Sequence, residues 1–374
     1  MRPTRLDESL FVDLAERSGR GLISSFIPTH AKGRQVAQDR IHVKNQLTEA
    51  DEVLSDLGYK PQERNERLAP ARGLLDDVEF WEHQAGGLAL FIGDNGEFEA
   101  VSTSDSPQPS SVVMPVHLLR PLLGDLYDLV VPVLALTRDE VSLYVASGHG
   151  VRRLSDDLPS FGDVNWFVDR ETQRQQHPDH SGTSRSRHGH EDASGSDEDL
   201  ARFLREVDSA LREFPAAVPM VVLGDDDLAA RFANRSERET ISPPNSGLAS
   251  PISQQEIEEC IEPVMAELVV DRRQEAIGDA RDRLGMGAGS TQLEEALPAV
   301  MSGRVATVIV HTEAAPVWGR FDESAFDVEI HDHARPGDVD LIDRLVVWAH
   351  RRGADIISSP EPFDGQAFAV LYRY

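Results

Sequence analysis

The sequence predicts an α/β protein of three domains, and three observations carry that prediction. Short apolar strand runs alternate with helical patterns of period 3.6 along most of the chain. The alternation breaks and restarts near Gly124 and again between Asn234 and Pro251. At 374 residues the chain exceeds one ordinary core. The expected domains are residues 1–124, 125–251 and 252–374.

In the first domain, Leu10, Phe11, Leu14 and Ala15 recur at helical spacing. The apolar run Leu22 to Ile27 predicts a strand that Pro28 stops. A long helix from about Gln35 to Leu57 then buries Val36, Ile41, Val43, Leu47, Ala50 and Leu54, and Gly58 ends it. A second helix leads to Phe80 and Trp81. Leu88 to Ile92 and Phe98 to Val101 predict a hairpin joined through Asp94-Asn95-Gly96, and Pro107 to Ser111 a loop.

The second domain opens with Leu129 to Leu136, a near-continuous apolar run expected of a strand covered on both faces. Val141 to Val145 and Val151 to Leu154 extend it into a meander. From Asp169 to Gly195 apolar content falls away and Gln, His, Ser, Gly and Arg dominate, which predicts a long loop. A helix capped by Ser196 carries Leu200, Phe203, Leu204, Val207, Leu211 and Phe214 on one stripe, and Val218 to Leu223 returns as a buried strand. Asn234 to Pro251 reads as a linker.

The third domain starts with a long helix behind a capping box of Ser253 and Glu256, and Thr291 with Glu294 repeats the signature. Strands are expected over 306–311, 316–321, 326–331, 355–357 and 368–372, with a helix over 340–351. Together they make an α/β sandwich.

Composition limits function. Sixty-five acidic against 37 basic residues give a net charge of −28, which disfavours free, non-specific binding to RNA or anionic membrane, so any polyanion contact has to be local. Lysine occurs only at Lys32, Lys44 and Lys60, leaving arginine to carry nearly all the positive charge; a GC-rich genome or a salt-adapted proteome would each produce this ratio. The single cysteine, Cys260, excludes an internal disulfide and a multi-cysteine zinc site. A charged N-terminus and the lack of any long apolar window point to the cytoplasm, with no membrane partner.

Several landmarks together resemble a known group. They are Ser25-Phe26-Ile27-Pro28-Thr29-His30 before the long helix, Gly86-Gly87-Leu88-Ala89-Leu90-Phe91, Gly303 to Val308, Trp318-Gly319-Arg320-Phe321-Asp322, Pro336-Gly337-Asp338 and the terminal Leu371-Tyr372-Arg373-Tyr374. Over nearly its whole length the chain resembles the bacterial archaeo-eukaryotic release factor family, within the class-I peptide-chain release factor and Pelota superfamily. The resemblance implies an N-terminal α/β domain, an RNase H-like middle domain, and a C-terminal α/β sandwich resembling kink-turn-binding ribosomal proteins. It implies the ribosome and its RNA as partner, with a translational GTPase as a further one.

One departure matters. Hydrolytic members carry Gly-Gly-Gln on a middle-domain loop, whereas the matching loop here holds Gly182, Gly189 and Gly195, none adjacent to another. Gly86-Gly87 is followed by Leu88, and Gly365-Gln366 is preceded by Asp364. No catalytic residue is therefore assigned, and no cofactor is expected. The expected function is a non-hydrolytic, tRNA-mimicking, ribosome-associated factor in translational stress, hibernation or rescue. Two alternatives stand beside it: an active peptidyl-tRNA hydrolase with a diverged loop, and a binding module unconnected to ribosomes.

The candidate RNA-contacting residues are Arg170, Arg174, Arg185, Arg187, His188 and His190 in the 169–195 loop, with Lys32 and Arg34 after Pro28. Arginine grips phosphate through two donors or stacks on a base. His177 and His180, then His188 and His190, stand at ligand-like spacings, but no thiolate joins them, so no metal is assigned there, nor at His331-Asp332-His333. Asp225-Asp226-Asp227 read as a helix cap and first turn, and Gly285 to Gly289 as a connection after a helix.

Overall fold

The computed structural model describes residues 2–30, 34–82, 84, 86–104, 106–127, 129–137, 141–148, 150–154, 201, 204–205, 207–208, 211, 218–243 and 253–374. The chain divides into two compact units, one of Met1–Asp128 with Asp271–Tyr374, the other of Leu129–Val270.

The first unit opens with strand β1 (Thr4–Arg5), helix α1 (Glu8–Glu16), β2 (Ser18–Thr29), the helices α2 (Arg34–Asp56), α3 (Pro61–Leu74) and α4 (Val78–Glu82), then β3 (Gly86–Ile92), β4 (Phe98–Thr103), β5 (Ser110–Val116) and the short α5 (Leu123–Leu126). The five strands form one sheet in the order β1-β4-β3-β2-β5. β2 runs on through Pro28 instead of stopping there. Beyond Phe26 it pairs only with β3, so one side of Pro28 needs no ladder donor and the missing N–H is tolerated. Ser110 and Ser111, expected in a loop, begin β5.

Residues alternate between the two faces of this sheet as period 2 requires. Ile23, Ile27, Leu88, Leu90 and Ile92 meet Val43, Leu47 and Leu54 of α2, Leu68 of α3, and Phe80 and Trp81. Phe26, Ala89, Phe91, Val101 and Met114 point the other way.

The second unit contains β6 (Val131–Leu136), β7 (Val141–Ser147), β8 (Gly150–Arg153), β9 (Met220–Gly224), helix α6 (Asp226–Ala233), β10 (Thr240–Ile241) and the first part of helix α7 (Gln254–Gly285). Its sheet runs β10-β9-β6-β7-β8, with β6, β7 and β8 an antiparallel meander and β9 and β10 parallel additions beside β6. β6 is buried throughout. Leu134 and Leu136 face Leu204, Val207, Leu211, Leu228 and Phe232, whereas Val131, Val133 and Ala135 face Ile257, Ile261 and Val264 of α7. The expected linker from Asn234 is partly structured, because Thr240 and Ile241 find the open edge of β9.

Glycine is informative at two turns in particular. Gly224 has φ +122°, and a Cβ there would sit 2.0 Å from the Leu136 carbonyl oxygen. Gly287, at φ +75°, turns the chain out of α7, with Gly287 N–H donating to Leu284 O and Ala288 N–H to Arg283 O.

The remainder of α7 returns to the first unit, followed by β11 (Gly289–Ser290), α8 (Leu293–Met301), β12 (Val305–His311), β13 (Trp318–Asp322), β14 (Asp327–His331), β15 (Val339–Asp340), α9 (Leu341–Arg351), β16 (Asp355–Ser359) and β17 (Phe368–Tyr372). These strands make two sheets, β11-β17-β12-β16 and β14-β13-β15. The capping box at Ser253 forms, with Glu256 accepting from Ser253 N–H at 2.8 Å. At α8 the cap is Gln292 without a side-chain bond, and Ser290 Oγ accepts Gln292 N–H at 3.1 Å instead, so the expected Thr291 box is not made.

The N-terminal and C-terminal segments share one core. Phe11, Leu14, Phe26 and Phe91 belong to the same buried cluster as Leu297, Val300, Leu345 and Val346. A buried polar clasp lies in the same unit. Asp343 Oδ1 accepts the N–H groups of Leu119 and Arg120, each at 2.7 Å. Arg120 donates to His311 O (3.1 Å), Ala314 O (2.8 Å) and Asp340 Oδ2 (3.0 Å), and Arg344 to Asp343 Oδ2 (2.8 Å). A buried guanidinium with three acceptors offsets much of its desolvation.

Candidate nucleic-acid interface

Of the sequence-nominated residues, Arg170, Arg174, Arg185, Arg187, His188, His190 and Lys32 lie outside the described residues, and so does the whole 169–195 loop. Arg34 is the first residue of α2, and its side chain also lies outside them. What the structure does describe is the frame on either side of residues 31–33. β2 ends at Thr29, and His30 follows. Its backbone N–H donates to Asp39 Oδ2 at 2.9 Å, and its Nδ1 stands 2.9 Å from Asp39 Oδ1. Asp39 is one turn into α2 and 1 % exposed, so strand end and helix start are joined by a two-point contact whose carboxylate is buried and whose imidazole is partly exposed. Gln46, two turns further, donates to Phe26 O at 3.0 Å and ties the same helix to the same strand.

α3 is held against the sheet by an arginine that no local pattern in the sequence marks. Arg67, 4 % exposed, donates to Gly93 O at 3.1 Å and Gly21 O at 2.5 Å and pairs with Asp94 at 3.0 Å. Tyr59 Oη donates to Asp94 at 2.7 Å, and burial with the neighbouring carboxylate pushes its hydroxyl pKa up. The guanidiniums of Arg20 and Arg67 lie 4.5 and 4.9 Å from the Tyr59 ring centroid. No periodicity announces such a residue; a lone arginine in a polar helix reads as solvent-facing.

On the outer side of these helices stand Arg40 and Lys44, one turn apart on α2, and Arg72 on α3. The sequence signal for them was present but faint: Lys44 is one of three lysines in the chain.

The remaining nominated clusters have structural duties. Asp225 caps α6, accepting from Asp227 N–H at 3.0 Å and Leu228 N–H at 3.3 Å, and Asp227 pairs with Arg231 at 2.9 Å, as the cap reading requires. His331 is buried, with Nδ1 2.7 Å from Asp338 and Nε2 2.9 Å from Glu329; the two carboxylates, Glu329 foremost, push its pKa up. Among the described residues no group of three or more His, Cys, Asp or Glu side chains is arranged to hold a metal. Burial raises the Cys260 thiol pKa, which suits an unreactive side chain. No helix among the described residues is long and apolar enough to cross a membrane.

Comparison with known proteins bears on the second unit. Residues 132–304, just under half of the chain, match the model of bacterial archaeo-eukaryotic release factor family 3, the group that the sequence landmarks resemble. No curated protein matches the chain by sequence. Among solved structures, the archaeal translation termination factor aRF1 is similar at 15 % identity, covering 98 % of this chain and 96 % of its own, with a TM-score of 0.26. Ribosome-bound archaeal Pelota with ABCE1 gives 10 % identity, 98 % and 92 % coverage, and a TM-score of 0.38. Dom34 of S. cerevisiae, a translation termination-like factor interacting with Hbs1, gives 10 %, 74 % and 73 %, and 0.36.

Proposed function

Taking the chain as a release-factor-related protein of the family its residues 132–304 match, we propose that it associates with the ribosome without hydrolysing peptidyl-tRNA. One observation carries the reading: the match spans the segment in which a hydrolytic member would hold its Gly-Gly-Gln, and this tripeptide occurs nowhere in the sequence. Two adjacent glycines let the backbone approach a crowded ester, and the glutamine places a water on it. Without them a ribosome-binding protein retains a site to occupy and lacks a reaction to perform there. A role in stress, hibernation or rescue follows from occupancy without turnover, in the cytoplasm, with a translational GTPase as the partner that would deliver or release it.

The positive charge for such contact is assigned to Arg170, Arg174, Arg185 and Arg187 with His188 and His190, and to Lys32 and Arg34. In a protein of net charge −28 these are local concentrations of a charge that is otherwise outweighed. Two measurements test the reading. Purified protein should cosediment with ribosomes, and replacing the four loop arginines by serine should weaken that association and flatten its salt dependence with the thermal melt unchanged. It should also release no peptide from ribosome-bound peptidyl-tRNA. Release at the rate of an active family member, abolished by loop mutation, would establish the hydrolase alternative.

A further inference from the structure

The outer face of α2 and the end of α3 enclose an open groove of about 730 Å³. Its α2 wall runs from Ala37 to Thr48, three helical turns or roughly 16 Å. Ile41 stands in it 46 % exposed, an apolar side chain set among the cations. Arg40, Lys44 and Arg72 rim it, and among the described lining residues Asp76 is the carboxylate that faces them. Arg40 donates to Leu75 O and lies 4.0 Å from Asp76, and Arg72 donates to Asn65 at 2.9 Å and lies 3.8 Å from Asp51. Lys44 has no ion-pair partner among the described residues. A cationic rim in a chain carrying 65 acidic residues is a local inversion of sign.

We propose that this groove receives an acidic amphipathic helix of a partner protein. Two antiparallel helices leave between them a seat for a third, whose apolar stripe covers Ile41 and Leu75 and whose flanking carboxylates meet Arg40, Lys44 and Arg72. Single-stranded RNA would meet the same cations, but among the described residues no aromatic side chain lines the groove to stack a base, and its floor is aliphatic. A second copy of this chain would bring the same net charge of −28 to the groove, so long-range repulsion opposes it even though its acidic helices would suit the rim. The groove is set by α2, α3 and the Arg67 anchor, so the proposal stands independently of the ribosomal reading.

The test uses the full-length protein and a fluorescein-labelled designed helix of about 14 residues, with leucine at helical spacing and glutamate elsewhere. A lysine-for-glutamate version and hexauridylate RNA serve as the comparison probes. Anisotropy should show saturable binding of the glutamate helix alone, weakened by salt. Lys44→Glu with Arg72→Glu should reduce the affinity at least tenfold with an unchanged melt, and Ile41→Ser severalfold; all three residues are exposed or partly exposed, so neither variant threatens folding. Bound helix should also slow hydrogen exchange in α2 and α3. Absence of binding, equal binding to the double charge variant, or groove-dependent binding of hexauridylate in place of the helix would each overturn the proposal.

Discussion

Arg120 shows how much one side chain settles in the first unit. It is 3 % exposed and bridges the carbonyls of His311 and Ala314 and the carboxylate of Asp340, which is itself buried and has its pKa raised by that burial, with Arg120 opposing the rise. Arg120→Ala removes three acceptors' partner at once and strands Asp340. It should cost about 3–5 kcal/mol in denaturant unfolding, and cosubstitution of Asp340 should recover part of the loss. His117 makes a second, pH-dependent case. Its Nδ1 lies 3.2 Å from Ser24 Oγ, and burial, with Arg17 adding to it, pushes its pKa down to about 3. The unfolded chain takes up a proton near the ordinary imidazole value of about 6.5, whereas the folded one does so only near 3. Stability from this group is thus intact above about 6.5 and is lost as pH falls toward 3, at roughly 1.4 kcal/mol per pH unit. His117→Gln should show a shallower acid-side decline than the native protein when unfolding free energies are compared between pH 7 and 4. Neither residue was legible in the sequence. His117 and Arg120 flank two leucines in Val116 to Arg120, and nothing local gives a sign that the one will meet Ser24 and the other Asp340 in a buried site.

At the scale of elements the sequence was more informative, and its failures have physical causes. Helices with a wide apolar stripe, such as α2 and α9, fall where periodicity places them. β6 was recognisable as doubly covered because both of its faces are aliphatic. β10 was invisible: two residues flanked by polar and proline positions carry no pattern, and only the open edge of β9 makes them a strand. β2 ran past Pro28 because a ladder on one side asks nothing of the proline's nitrogen. The candidate site was less legible than the fold, since basic loops and solvated faces look alike in one dimension. The junction from β9 to α6 offers a test of element-level reasoning. Gly224 occupies φ +122° with its α-carbon against Leu136, and Asp225 then caps the helix. Gly224→Ala combines backbone strain with a collision at 2.0 Å, and should destabilise the second unit by about 2 kcal/mol or more. Hydrogen exchange should locate that loss in β6, β9 and α6 and leave β2 and β3 protected as before.

For the whole molecule the governing fact is that the first unit is assembled from two separated stretches, 1–128 and 271–374, with 129–270 between them. Contact between the outer thirds was not foreseeable from local pattern, since each has its own strands and helices. Their shared cluster of Phe11, Phe26, Leu297 and Leu345 is a purely tertiary outcome. Residues 129–270 expressed alone should therefore fold cooperatively, with one thermal transition. Residues 1–128 alone should leave the Phe26 and Phe91 face uncovered, bind hydrophobic dye and aggregate. A soluble, cooperatively melting 1–128 fragment would show that the second stretch is dispensable.

The same interruption sets an order of events during synthesis. Chains emerge at roughly 5–20 residues per second, so the first stretch waits many seconds for Asp271 and all that follows before its missing wall of α8 and α9 exists. The inserted unit, complete in itself, can close in the meantime. The nascent N-terminal sheet is thus the vulnerable intermediate, with the α2–α3 side already roofed and the opposite side bare. That bare side is where a chaperone would find something to hold, and the moment α9 arrives is the moment it would have to let go.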